Sequence, residues 1–226
     1  MVLSRFAWRN RTMNINRELY PLLDQLRRRF RQISARTLLI PTSRWSRRCE
    51  IDVAFGTIEL HTMWSQFMRY YFLSSAIGAR TSAGVRITHH LSTVRNAGDA
   101  INEAVYHMRP GIPRGRPWRP RDEPDWLRPH TAIELAKHFS FSHATRITAA
   151  FSHRTRVFED LPSVRNFFAH RSRDTFRIAM RVKSFRGIKA SSPSAAVISH
   201  APNRPQPVLL DWMADLDIIG ELLCTT

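Results

Sequence analysis

Ser163-Val164-Arg165-Asn166-Phe167-Phe168-Ala169-His170 sets a guanidinium, an amide and an imidazole close together in the chain. An arginine grips phosphate through two parallel donors, and an imidazole titrates near neutral pH and can move a proton. An amide can orient either of them. These are the groups that cutting an RNA phosphodiester without a metal requires. On a helix Asn166 and His170, four apart, stack on one face, and the long Arg165 side chain beside them can swing onto it. Asp160 as a cap and Pro162 in a first turn place the motif near a helix N-terminus, where unpaired N–H groups and the dipole favour a phosphate.

Several helices must position that segment. The motif helix is expected to continue through Phe168, Phe176, Ile178, Ala179 and Val182 and to stop near Gly187. Upstream, Leu19, Leu22, Leu23, Leu26, Phe30 and Ile33 form a helical stripe whose regular part starts at Pro21. Arg27, Arg28, Arg29 and Arg31 read as its solvated face. A long helix over 51–77 carries Ile58, Met63, Trp64, Phe67, Met68, Tyr71, Phe72 and Leu73 on a wide apolar face, as a central core helix should. Ser92 is expected to cap a helix ending at Met108. Thr131 with Glu134 forms a capping-box pattern, followed by further helix over 142–158. A last helix is expected over 211–222.

Between these elements, residues 109–130 hold six prolines (110, 113, 117, 120, 124 and 129) among many arginines. That insertion bridges two helices around the core or carries arginines for RNA. Residues 187–207, rich in Ser, Pro and Ala, read as a flexible loop. Residues 1–13 read as a basic tail and 14–226 as one domain, with no internal repeat. The expected class is all-α, a helical bundle.

Composition narrows the partners. The 226 residues contain 35 Lys+Arg against 18 Asp+Glu, a formal net charge of +17. Lys occurs only at 137, 183 and 189, so nearly all of that charge is guanidinium. Such a chain attracts polyanions, with RNA or DNA ahead of an anionic membrane. Two cysteines, Cys49 and Cys224, exclude a disulfide framework and a cysteine-rich zinc site. The start lacks a signal-peptide pattern and no apolar run is long enough to span a bilayer, so a cytoplasmic, membrane-free protein is expected.

Spacing alone selects little. With this many Arg and His, a given separation recurs roughly once by chance. Arg146 and His153 fit a similar spacing, but the filler between them lacks a polar residue after the Arg. His89, His90, His138 and His143 do not combine with Cys or carboxylates at metal-ligand spacing, while His61, Glu59 and Trp64 read as core or helix-face residues. No Gly-rich phosphate loop or nucleophile elbow appears, so no cofactor or metal is expected.

The Arg, the polar residue after it, the small residue before the His and the four-residue filler resemble the motif of the HEPN superfamily, many of whose members are metal-independent ribonucleases. The resemblance is sharpest over 161–175. It implies a HEPN-like bundle, a toxin or phage-defence endoribonuclease, and attack by the RNA's own 2′-hydroxyl. It assigns Arg165, Asn166 and His170 as catalytic, with Arg171 and Arg173 binding RNA. It further implies a homodimer with a composite active site, and a possible antitoxin protein as a partner. The alternative is a non-catalytic HEPN-like module binding RNA, a nucleotide or a protein. DNA binding is a third reading, without a helix-turn-helix pattern to support it.

Overall fold

Apolar side chains at Leu22, Leu23, Leu26, Phe30 and Ile33 wind one buried stripe along α1 (Tyr20–Thr37), with a proline in its first turn. In this computed structural model, which describes residues 15–40 and 45–225, that stripe packs on α2 (Arg47–Ala76) and α10 (Val208–Thr225). The basic tail expected over 1–13 lies outside the described residues. Helix α2 starts at Ser46, whose hydroxyl accepts from the Cys49 N–H, and buries Leu60, Met63, Trp64, Phe67, Met68, Tyr71 and Phe72. From α10, Leu209, Trp212, Met213, Leu216 and Ile219 complete the central layer.

Close approach decides one residue of that layer. A Cβ on Gly220 would stand 3.3 Å from Leu23 and 3.4 Å from Leu26, so glycine lets α10 lie against α1 at a distance where a larger residue would push those leucines back by a few tenths of an ångström.

Around this centre run α3 (Ala97–Met108), α4 (Pro129–His138), α5 (Ala144–Ala150), α6 (Val157–His170), α7 (Arg173–Ala179), α8 (Arg181–Arg186) and α9 (Pro193–Ile198). Among the described residues a 3-10 turn occupies Pro120–Asp122, and strand pairing is limited to isolated bridges such as Arg80 with Arg86. The protein is all-α, and no described helix is long and apolar enough to cross a membrane.

The proline-rich segment 109–130 is tied down along its length. Arg114 grips Glu103 of α3 with two bonds of 2.9 Å, and the Trp118 indole N–H donates to Asn102 at 2.6 Å. Further on, Arg69 of α2 holds Glu123 through two guanidinium bonds, while Trp126 and Leu127 enter the core. It bridges α3 and α4 over the α2 surface.

Several boundaries differ from the sequence expectation. Asn96, not Ser92, caps α3, and α4 begins at Pro129, which leaves Thr131 buried inside the helix. The stretch expected as one helix over 142–158 is the short α5 followed by a turn. The stretch expected as one helix from Asp160 to Gly187 is three, broken at Arg171, whose backbone is left-handed (φ 46°, ψ 33°). The stretch 187–207 is not loop throughout: Ser192 caps α9, which buries Pro193, Ala196, Val197 and Ile198.

Candidate functional site

Helix α6 presents the motif because its other face is fully used. Val157, Leu161, Val164 and Phe168 are buried at helical spacing, facing α2 and α10. Trp64 of α2 lies 6.1 Å from the Phe158 ring near the start of α6, and Glu50 of α2 meets Arg171 just past its end. The two helices therefore run antiparallel.

The start of α6 lies earlier than Asp160 and Pro162 suggested. Arg156 precedes the first turn, so Asp160 is inside the helix and buried rather than capping it. Pro162 also sits inside, where its missing N–H leaves the Phe158 carbonyl without its usual helical donor. The motif consequently occupies the C-terminal half of α6, and His170 is its last residue. That end carries unpaired carbonyls, which favour cations and repel a phosphate. The expected contribution of a helix N-terminus at the motif is therefore corrected; guanidinium groups must hold any anion there.

Those groups are present. Arg165 is half-buried, and its Nη1 donates to the Asn166 Oδ1 at 3.2 Å. Asn166 and His170 are both exposed on the face away from the core, and His170 has no hydrogen-bond partner among the described residues. The imidazole is thus open to solvent, to a ligand or to a neighbouring molecule. Arg171 is exposed but donates to the Glu50 Oε1 at 3.1 Å, so its charge is partly committed to α2. Arg173, the first residue of α7, is exposed and makes no ion pair among the described residues. Ser172 fixes its position by accepting from the Thr175 N–H, while its own N–H donates to the Thr175 hydroxyl.

One neighbour was missed. His61 of α2 is half-buried, and its pKa is lowered by that burial and by the Arg165 guanidinium, with Asp125 opposing. Three separate segments therefore bring a histidine, an arginine and a carboxylate near the motif. No spacing in the chain signals this, because the three positions meet only through packing.

The second Arg/His pair separates. His153 faces Asp215 at 3.4 Å, and Thr155 donates to the same carboxylate, whereas Arg146 lies near His143. Elsewhere, His138 bonds Glu103 at 2.8 Å and stacks on His107 at 3.9 Å, which links α3 to α4. Among the described residues no group of three His, Cys, Asp or Glu is placed to hold a metal ion.

Two open clefts flank α6. Near its start, Arg154, Arg156, Arg186 and Arg204 with Asp211 and Asp215 line one of about 500 Å³. Past its end, Arg173, Asp174, Phe176, Arg177, Met180 and Lys183 line one of about 570 Å³. No protein-family model, no curated protein and no solved structure matches the chain.

Proposed function

We propose that the protein is a metal-independent endoribonuclease of HEPN type that acts through Arg165, Asn166 and His170. The observation carrying this reading is the exposed His170, whose imidazole has no hydrogen-bond partner among the described residues, one helical turn beyond an Asn166 that is hydrogen-bonded to Arg165. A core histidine would be enclosed and satisfied; this one is free to act.

In the reaction proposed, neutral His170 accepts the proton of a ribose 2′-hydroxyl. The 2′-oxygen bonds to phosphorus, the bond to the 5′-oxygen breaks, and the departing oxygen takes a proton from an imidazolium. The products are a 2′,3′-cyclic phosphate and a 5′-hydroxyl. Arg165 holds the non-bridging oxygens and stabilises charge that grows in the transition state. Asn166 keeps that guanidinium in place.

The proton donor is the same histidine of a second copy. Helix α2 exposes Ile51, Phe55 and Ile58 at i, i+4 and i+7 beside Glu50, the residue paired with Arg171. An apolar stripe next to the motif suits a dimer that brings two α6 ends together. A role as toxin or defence effector, and regulation by an antitoxin protein, belong to the same proposal.

Purified protein incubated with labelled RNA, with and without chelator, tests it. Equal cleavage in both arms, lost in His170→Ala, is the expected result. Binding without cleavage would leave the non-catalytic reading in its place.

A further inference from the structure

Helices α7 and α8 meet at Met180, whose own backbone is helical (φ −67°, ψ −11°). Arg173, Phe176, Arg177, Met180 and Lys183 recur at helical spacing across that junction and line the cleft of about 570 Å³ past the end of α6. That volume falls within the range of about 300–1,000 Å³ common for ligand sites.

Its chemistry is unusual for a protein surface awaiting a protein. Three cations surround one aromatic ring, against the single carboxylate of Asp174. Arg173 is exposed, with no ion pair among the described residues. Arg177 meets Asp174 at 3.2 Å with both side chains largely in water, a pairing that is easily exchanged. Lys183 donates to the Ala190 carbonyl at 3.1 Å and keeps further donors. Phe176 is 39% exposed, and its ring is braced against Phe167 at 5.8 Å with the planes 70° apart. Phe167 in turn directly follows Asn166 on α6, so the cleft adjoins the motif. The cores of protein interfaces are depleted in charge, whereas single-strand nucleic-acid grooves combine cations with exposed aromatics.

We propose that this cleft holds an unpaired nucleotide next to the scissile phosphate, its base stacked on Phe176 and its phosphate held by Arg173. Arg177 and Lys183 flank the same phosphate path. Its place beside a scissile bond rests on the ribonuclease reading, but binding by the cleft does not. Duplex RNA hides its base faces and gains nothing from Phe176.

Binding is measured by fluorescence anisotropy with the full chain carrying His170→Ala, so that the probe stays intact. The probes are a short labelled single-stranded RNA and the corresponding duplex. Adding Phe176→Ala is expected to weaken single-strand binding about tenfold or more, with duplex binding unchanged. Phe176→Trp is expected to restore it. Arg173→Gln is expected to flatten the dependence of log K on log salt by about 0.7. Unchanged single-strand affinity in Phe176→Ala, or equal losses for both probes, would overturn the assignment. So would a dimer that dissociates in Phe176→Ala while RNA affinity stays constant, because the face would then belong to a second copy. Failure of the parent protein to cleave RNA would instead sink only the ribonuclease reading. Circular dichroism of Phe176→Ala is expected to match the parent, since the ring is outside the core.

Discussion

His170 at the last position of α6 has solvent on its outward side and Asn166 one turn below, so its removal empties no core. His170→Ala should therefore lower cleavage by about 10²- to 10⁴-fold while helical content and RNA binding persist; parallel cleavage and binding assays check this. Arg165→Ala should cost about 10²- to 10³-fold in cleavage, as loss of a transition-state donor does. His143 shows the opposite environment. It is buried, its Nε2 meets the Tyr71 hydroxyl at 2.7 Å, and burial followed by Arg146 brings its pKa down from 6.5 to about 4. Between those two values the unfolded chain binds a proton that the folded one refuses. Stability from this residue is thus complete above about pH 6.5 and is lost as pH falls toward 4, by up to about 3 kcal/mol. His143→Gln should flatten urea-denaturation stability across that range. The stacking of Asn166 and His170 was legible in the sequence because four residues make one turn. The His61 neighbour of Arg165 was not, because it depends on how α2 lies against α6.

Helix α6 is anchored at its other end by an ion network rather than by a cap. Arg186 of α8 reaches Asp160 of α6 at 3.3 Å and Asp211 of α10 at 3.5 Å, with all three side chains largely buried. Burial raises the Asp160 pKa even against the pull of Arg186, so the pair stands near the limit of what its attraction offsets. Arg186→Met should leave the buried Asp211 without its cation and Asp160 with Arg156 at 3.6 Å alone, and cost about 3–5 kcal/mol in denaturant unfolding. Adding Asp160→Asn and Asp211→Asn should recover much of that loss. This network explains why the start of the helix was misplaced in the sequence reading. Asp160 and Pro162 have the residue types of a first turn, but the buried Val157 begins the apolar spacing earlier. The break at Arg171 was equally hidden, since a non-glycine residue took the left-handed turn and the apolar pattern runs on through Phe176 and Val182. At 187–207 small residues suggested a loop, yet Ala196 and Val197 pack where larger side chains would not be needed.

Across the whole molecule, the all-α class was carried by apolar periodicity over 19–33 and 51–77, which survives any error in caps. The net charge of +17 draws polyanions to the molecule as a whole, and the cations at the motif and the adjoining cleft set how steeply salt opposes it. If Arg165, Arg173, Arg177 and Lys183 each neutralise a phosphate, log K for single-stranded RNA should fall with log salt at a slope of about −3. A titration between low and physiological salt checks this. Ile51→Gln combined with Ile58→Gln should abolish a dimer in analytical ultracentrifugation and reduce cleavage with it, because the motif of one copy would lose its proton donor. The most direct measurement is the end chemistry of RNA cut by the purified protein, compared with His170→Ala prepared identically. Fragments ending in a 2′,3′-cyclic phosphate and beginning with a 5′-hydroxyl, absent from the variant reaction, are what this account predicts. Fragments with 3′-hydroxyl and 5′-phosphate ends, or the same fragments from both preparations, would contradict it.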